Sequence, residues 1–99
     1  MMEQQERDQL YKKAFDSWGE DLQVGMLYEE MAELTIAVNK RRRKHLTLEQ
    51  GIASKEHITE EIADVRIMIE QLQWMLNIYS EDVEAQMERK LERLAERLR

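Results

Sequence analysis

The 99-residue chain contains no cysteine and no proline, and its only glycines are at 19, 25 and 51. Without cysteine there is no disulfide and no thiolate metal site, and the redox compartment is left open. Without proline, and with so little glycine, few residues oppose helix, which points to an all-helical protein. Aromatic residues are scarce at 6%. No apolar run is long enough to span a bilayer. The first residues, Met1-Met2-Glu3-Gln4-Gln5-Glu6, are polar and acidic, unlike a signal peptide, so the cytoplasm is the expected location. A formal net charge of −6 argues against a general nucleic-acid binder.

What the chain does have is 42% hydrophobic and 36% charged residues in a length that makes one small domain, residues 1–99. A chain this short has little core of its own, so association with another copy is expected.

Periodicity divides it into about four helices. Residues 3–16 read as the first, with Leu10, Ala14 and Phe15 on its buried side, and Ser17-Trp18-Gly19 breaks it. The second runs from about 21 to 43, opened by acids and closed by the basic run Lys40-Arg41-Arg42-Arg43-Lys44, as the helix dipole favours. Its core stripe is Leu27, Met31, Leu34 and Val38. Residues 45–53 read as a loop or a loop with one helical turn. Ser54 then caps a third helix from about 55 to 78, with Ile58, Ile62, Val65, Ile69, Leu72 and Leu76 as its stripe. A second strip, Ile67, Trp74 and Ile78, implies burial on two sides and hence a homo-oligomer. Ser80-Glu81-Asp82 caps and starts a fourth helix, 81–98, with Val83, Met87, Leu91, Leu94 and Leu98 along a highly charged segment.

Two stretches carry the chemistry. Glu30 and Glu33, and further on Glu61 and Asp64, are acid pairs three residues apart, each pair about one turn apart on one helix face. At about 100° per residue, each pair lies roughly 90° from its own helix's core stripe, in the same rotational sense. An antiparallel pairing of the two helices, the usual outcome of a short connection, then brings both pairs to one side. The expected product is a four-carboxylate cluster beside the core. Met26, Ala37, Met68 and Met75 flank the acids and make this face half-apolar, and partly buried acids need a partner. The competing reading is a solvated acidic face, since acids make up 21 of the 99 residues and Glu81, Glu84 and Glu88 share the spacing.

An all-carboxylate set favours Mg²⁺ or Mn²⁺ over zinc or iron. His45 and His57 fall in or near the loop and read as exposed loop or helix-start residues. Magnesium held this way usually serves phosphates. Lys40 and Lys44 lie within about 50° of the Glu30/Glu33 direction. They can reach a phosphate beside the metal, or simply complement the helix dipole.

Glu29-Glu30-x-x-Glu33, followed after 27 residues by Glu61-x-x-Asp64, resembles the signature of the MazG-type nucleoside triphosphate pyrophosphohydrolases, in the all-α NTP pyrophosphatase superfamily. Trp18-Gly19, Gln23, Met26-Leu27, Leu34 and Ile62-Ala63-Asp64-Val65 look familial too, and the resemblance covers roughly residues 10–94. It implies Mg²⁺ on Glu30, Glu33, Glu61 and Asp64, and cleavage of nucleoside triphosphates to monophosphate and pyrophosphate. It also implies a homodimer or dimer of dimers, with an active site near the subunit interface. Glu29 is the candidate for orienting the attacking water, the alternative being a solvent-exposed acid. A family lysine that contacts the triphosphate falls on Lys90. The arginine usually one turn later is replaced by Leu94, with Arg93 and Arg97 on either side. Gln23, two turns before Glu30, is a candidate nucleotide contact. Against this enzyme stand two other readings. One is a helical dimerisation or adaptor module, the other a degenerate relative that binds metal or nucleotide without turnover.

Overall fold

The computed structural model describes residues 1–43 and 45–99, and these are all-helical, with no strand among them. There are three helices, α1 (Gln4–Arg43), α2 (Leu48–Leu76) and α3 (Ser80–Arg97), rather than about four. The expected break after residue 16 is present, but as a kink inside α1. Gly19 has φ 79° and ψ 170°, which is not helical. A straight helix of 40 residues would be about 60 Å long, whereas the molecule's greatest extent is 45 Å. The chain therefore turns sharply at Gly19 into two arms.

Both arms lie on α2. The second arm runs antiparallel to it, as the sequence predicts: the Arg41 Nη1 donates to the Gly51 carbonyl at 3.1 Å, while Glu30 and Glu33 meet Glu61 further along. The first arm sits against the C-terminal half of α2. There the Arg7 guanidinium binds the Glu70 carboxylate at 3.0 Å, and Phe15 meets Trp74 edge-on with ring centroids 5.7 Å apart. Trp74, expected on a strip left for another subunit, is thus half-covered by its own chain.

α2 starts seven residues earlier than the pattern suggests. Its N-cap is Thr47, not Ser54. The Thr47 hydroxyl accepts from the Gln50 N–H, and the Gln50 side chain accepts from the Thr47 N–H, a reciprocal capping box. Asn77, with φ 56°, closes the helix in the left-handed region that asparagine tolerates. Ser80 is also not a cap: Tyr79 holds the N-cap position of α3 and makes no side-chain cap bond.

The interior is small: Tyr11, Leu27, Ala37 and Met68 are buried, together with Gln23. Here the expected stripes are rotated. Met31 and Val38 on α1, and Ile62, Ile69 and Leu76 on α2, are exposed, as is Leu10 in the first arm. The row turned inward on α1 is instead Gln23, Leu27, Glu30, Leu34 and Ala37, with 4-3-4-3 spacing. The small Ala37 side chain, only 4% exposed, permits close approach of the helices. Glu30 and Glu61 consequently lie in the seam between α1 and α2, with Glu33 and Asp64 exposed at its edge.

No residue of α3 is buried, and α3 packs along neither α1 nor α2. Among the described residues, no helix is long and apolar enough to cross a membrane.

Candidate metal centre

Glu30 and Glu33 stand one turn apart on the second arm of α1, and Glu61 faces them from α2. Each offers a carboxylate oxygen to a set whose members all lie within 4.8 Å of one another. Three acidic oxygens at that separation repel, unless a proton or a cation sits among them. The repulsion is sharpened by desolvation. One oxygen each of Glu30 and Glu61, the Oε2 atoms, is buried with no hydrogen-bond partner among the described residues.

Burial, first of all, pushes the Glu30 carboxyl above its ordinary range, and the charges of Glu33, Asp64 and Glu61 push it in the same direction. Asp64 therefore contributes to the field of the cluster. It is exposed, as Glu33 is, but it is not one of the three residues whose oxygens converge. Being three residues past Glu61, it stands about 4.5 Å further along the α2 axis. Of the four expected ligands, the fold draws three into one point and leaves the fourth at the rim.

These residues fit a hard divalent cation. They supply oxygens only, on two antiparallel helices that hold their backbones fixed, and two buried oxygens lack the partner that burial demands. No imidazole belongs to the converging set.

The remaining expected residues are placed as follows. Glu29 is exposed beside Glu30. Gln23 is 1% exposed, on the same inward row two turns before Glu30, and neither atom of its amide has a partner among the described residues. Lys40 is exposed and lines a cavity of ≈ 310 Å³ at the loop end of the helix pair. Lys44 lies outside the described residues. Lys90 and Arg93 are on α3, exposed, and the single chain does not bring them to the carboxylates.

One residue was not anticipated. His57 Nε2 is 3.2 Å from Glu61 Oε1, and the ring lines the same cavity as Lys40. If the helix began at 55, His57 would be in its first turn; since it begins at 48, His57 stands mid-helix, one turn before Glu61. The signal was Thr47-x-x-Gln50, whose capping box moves the helix start and with it the role of the histidine.

Compared with protein-family models, with curated proteins and with solved structures, the chain returned no match in any of the three searches.

Proposed function

We propose that the protein is a Mg²⁺-dependent hydrolase of nucleoside triphosphates, ribo- or deoxyribo-, that releases a monophosphate and pyrophosphate and so clears the nucleotide pool. The observation that carries this is the meeting of Glu30, Glu33 and Glu61 within 4.8 Å, with two of their oxygens buried and unpartnered. The resemblance to the MazG-type enzymes supplies the reaction class.

In this reading Glu30, Glu33 and Glu61 would hold Mg²⁺, or Mn²⁺, with Asp64 adding its charge from the next turn. An ion held there would neutralise phosphate oxygens and lower the pKa of a water for in-line attack. Glu29 is the group to orient that water: it adjoins Glu30 and is free of the seam. Gln23 lies along the same row, and its amide, buried in the single chain, meets a nucleotide once the seam opens around it. Lys40 answers phosphate charge at the loop end.

Lys90 and Arg93 reach a triphosphate only in an assembly, where α3 of one copy lies over a neighbour. The exposed apolar residues Met31, Val38, Ile62 and Ile69 favour such an assembly, a homodimer or a dimer of dimers. The expected location remains the cytoplasm.

The test is pyrophosphate release from the eight common NTPs and dNTPs with Mg²⁺ or Mn²⁺. Release from at least one, abolished by Glu33→Gln with helicity retained, supports the enzyme. No release from any of them overturns it. The second reading, a non-catalytic dimerisation module, draws on α3, whose apolar stripe is exposed throughout.

A further inference from the structure

The cavity at the loop end of the α1–α2 pair has a composition that the carboxylate cluster does not explain. Lys40, Arg41, Gln50, Ser54 and His57 supply polar groups to a lining that is otherwise apolar and mostly so by surface, and among the described residues no acidic side chain lines it. In a chain of net charge −6, Lys40 and Arg41 give this concavity a local excess of positive charge. It is also braced: Arg41 is tied to the Gly51 carbonyl, and Gln50 is locked in the capping box.

Its position follows from helix geometry. Lys40 lies seven residues beyond Glu33, about 10 Å along α1. Helical side chains lean toward the N-terminus, so the Lys40 side chain leans back toward the acids. On α2, running the other way, His57 lies one turn before Glu61 and therefore toward the same end. His57 is the physical join, since it lines the cavity while its Nε2 meets Glu61 Oε1 at 3.2 Å. A cation-binding cluster and an anion-attracting cavity thus share a wall.

We infer that this cavity, bounded by Lys40, Arg41 and His57, is a diphosphate subsite. Its assignment to the β- and γ-phosphates that leave as pyrophosphate rests on the hydrolase reading above. At ≈ 310 Å³ the concavity has room for a diphosphate.

The test is calorimetric titration of the full-length protein with inorganic pyrophosphate in Mg²⁺, in parallel with orthophosphate. Lys40→Ala and His57→Ala each weaken pyrophosphate binding at least tenfold. Lys13→Ala, which removes an exposed cation from the first arm, leaves it unchanged, and Lys40→Ala keeps the thermal shift on Mg²⁺ addition. Equal losses in Lys13→Ala and Lys40→Ala overturn the subsite in favour of diffuse attraction. Orthophosphate binding as tightly as pyrophosphate, with the same sensitivity to the variants, overturns the two-phosphate assignment. If nucleotides are hydrolysed but Lys40→Ala and His57→Ala bind pyrophosphate normally, the subsite alone falls. If no nucleotide is hydrolysed but the tenfold losses hold, the hydrolase reading falls and the diphosphate site stands.

Discussion

Glu30 of α1 and Glu61 of α2 face each other across the helix seam, each with its Oε2 buried and without a hydrogen-bond partner among the described residues. Two carboxylates in that relationship weaken the fold that presents them. They gain when a proton or a metal ion comes between them. Several measurable consequences derive from this pair and its surroundings.

The first is a pH dependence. Burial, followed by the neighbouring acids, raises Glu30 above the ordinary carboxyl range, so the native protein holds that proton more tightly than the unfolded chain. Stability is fullest below the unfolded-chain value, falls as pH rises through the raised native value, and stays lower above it. In metal-free protein Glu30→Gln should raise Tm near neutral pH. The gain should disappear as the pH is lowered through the carboxylate range. Thermal melts of both proteins across that range, in chelator, check the sign.

Metal addition should act in the opposite sense to charge. Mg²⁺ or Mn²⁺ at 100 times its dissociation constant adds about 2.7 kcal/mol, on the order of ten degrees in Tm for a domain of this size. Glu61→Gln, which removes one of the three converging oxygens' charges, should abolish most of that shift while keeping the helical signal. A full shift in Glu61→Gln would place the ion elsewhere.

Gln23 separates stability from function. Its buried amide has no partner among the described residues, and leaving a buried polar group unpaired costs about 1–3 kcal/mol. Gln23→Met should therefore raise the urea midpoint by a comparable free energy. If the amide contacts nucleotide, the same variant should lose activity through KM, and the two readouts will move in opposite directions.

Gly19→Ala tests the kink in isolation. A Cβ there would meet nothing within 4 Å, so any cost is conformational. With φ 79° and ψ 170°, Gly19 lies in a region open essentially to glycine alone, and a non-glycine residue pays about 1–3 kcal/mol. The variant should melt several degrees lower, with the first arm's contacts, Arg7–Glu70 and Phe15–Trp74, the first to loosen. Near-ultraviolet circular dichroism of Trp74 and hydrogen exchange along residues 4–18 report this.

Assembly is tested on the exposed apolar faces. Met31 and Ile69 are 49% and 43% exposed in the single chain. The double variant Met31→Glu, Ile69→Glu should sediment as a monomer where the parent sediments as a dimer or larger. A parent that is monomeric at micromolar concentration would refute the assembly.

Much of this protein was legible in its residues. The absence of proline, the 3-4 spacing of apolar side chains and the acids at helix starts specify long helices, and a short connection makes the central pair antiparallel. Those rules suffice to bring Glu30 and Glu33 to Glu61, because the rotation per residue is fixed and the direction of travel is known. Ser54 misled because a good capping residue can also sit inside a helix; Thr47 with Gln50 forms a reciprocal pair of bonds, and the reciprocity decides.

Only the tertiary structure decided which face looks inward. Apolar spacing marks a surface that avoids water, but it does not distinguish a surface covered by the same chain from one available to another. Met31 and Val38 belong to the stronger apolar pattern and are left exposed, while Gln23, Leu27, Glu30, Leu34 and Ala37 form the seam. Likewise, no local pattern in the first arm announces Arg7–Glu70 or Phe15–Trp74. These contacts join residues more than fifty positions apart, and they exist because Gly19 allows a dihedral pair that turns one long helix back onto its neighbour.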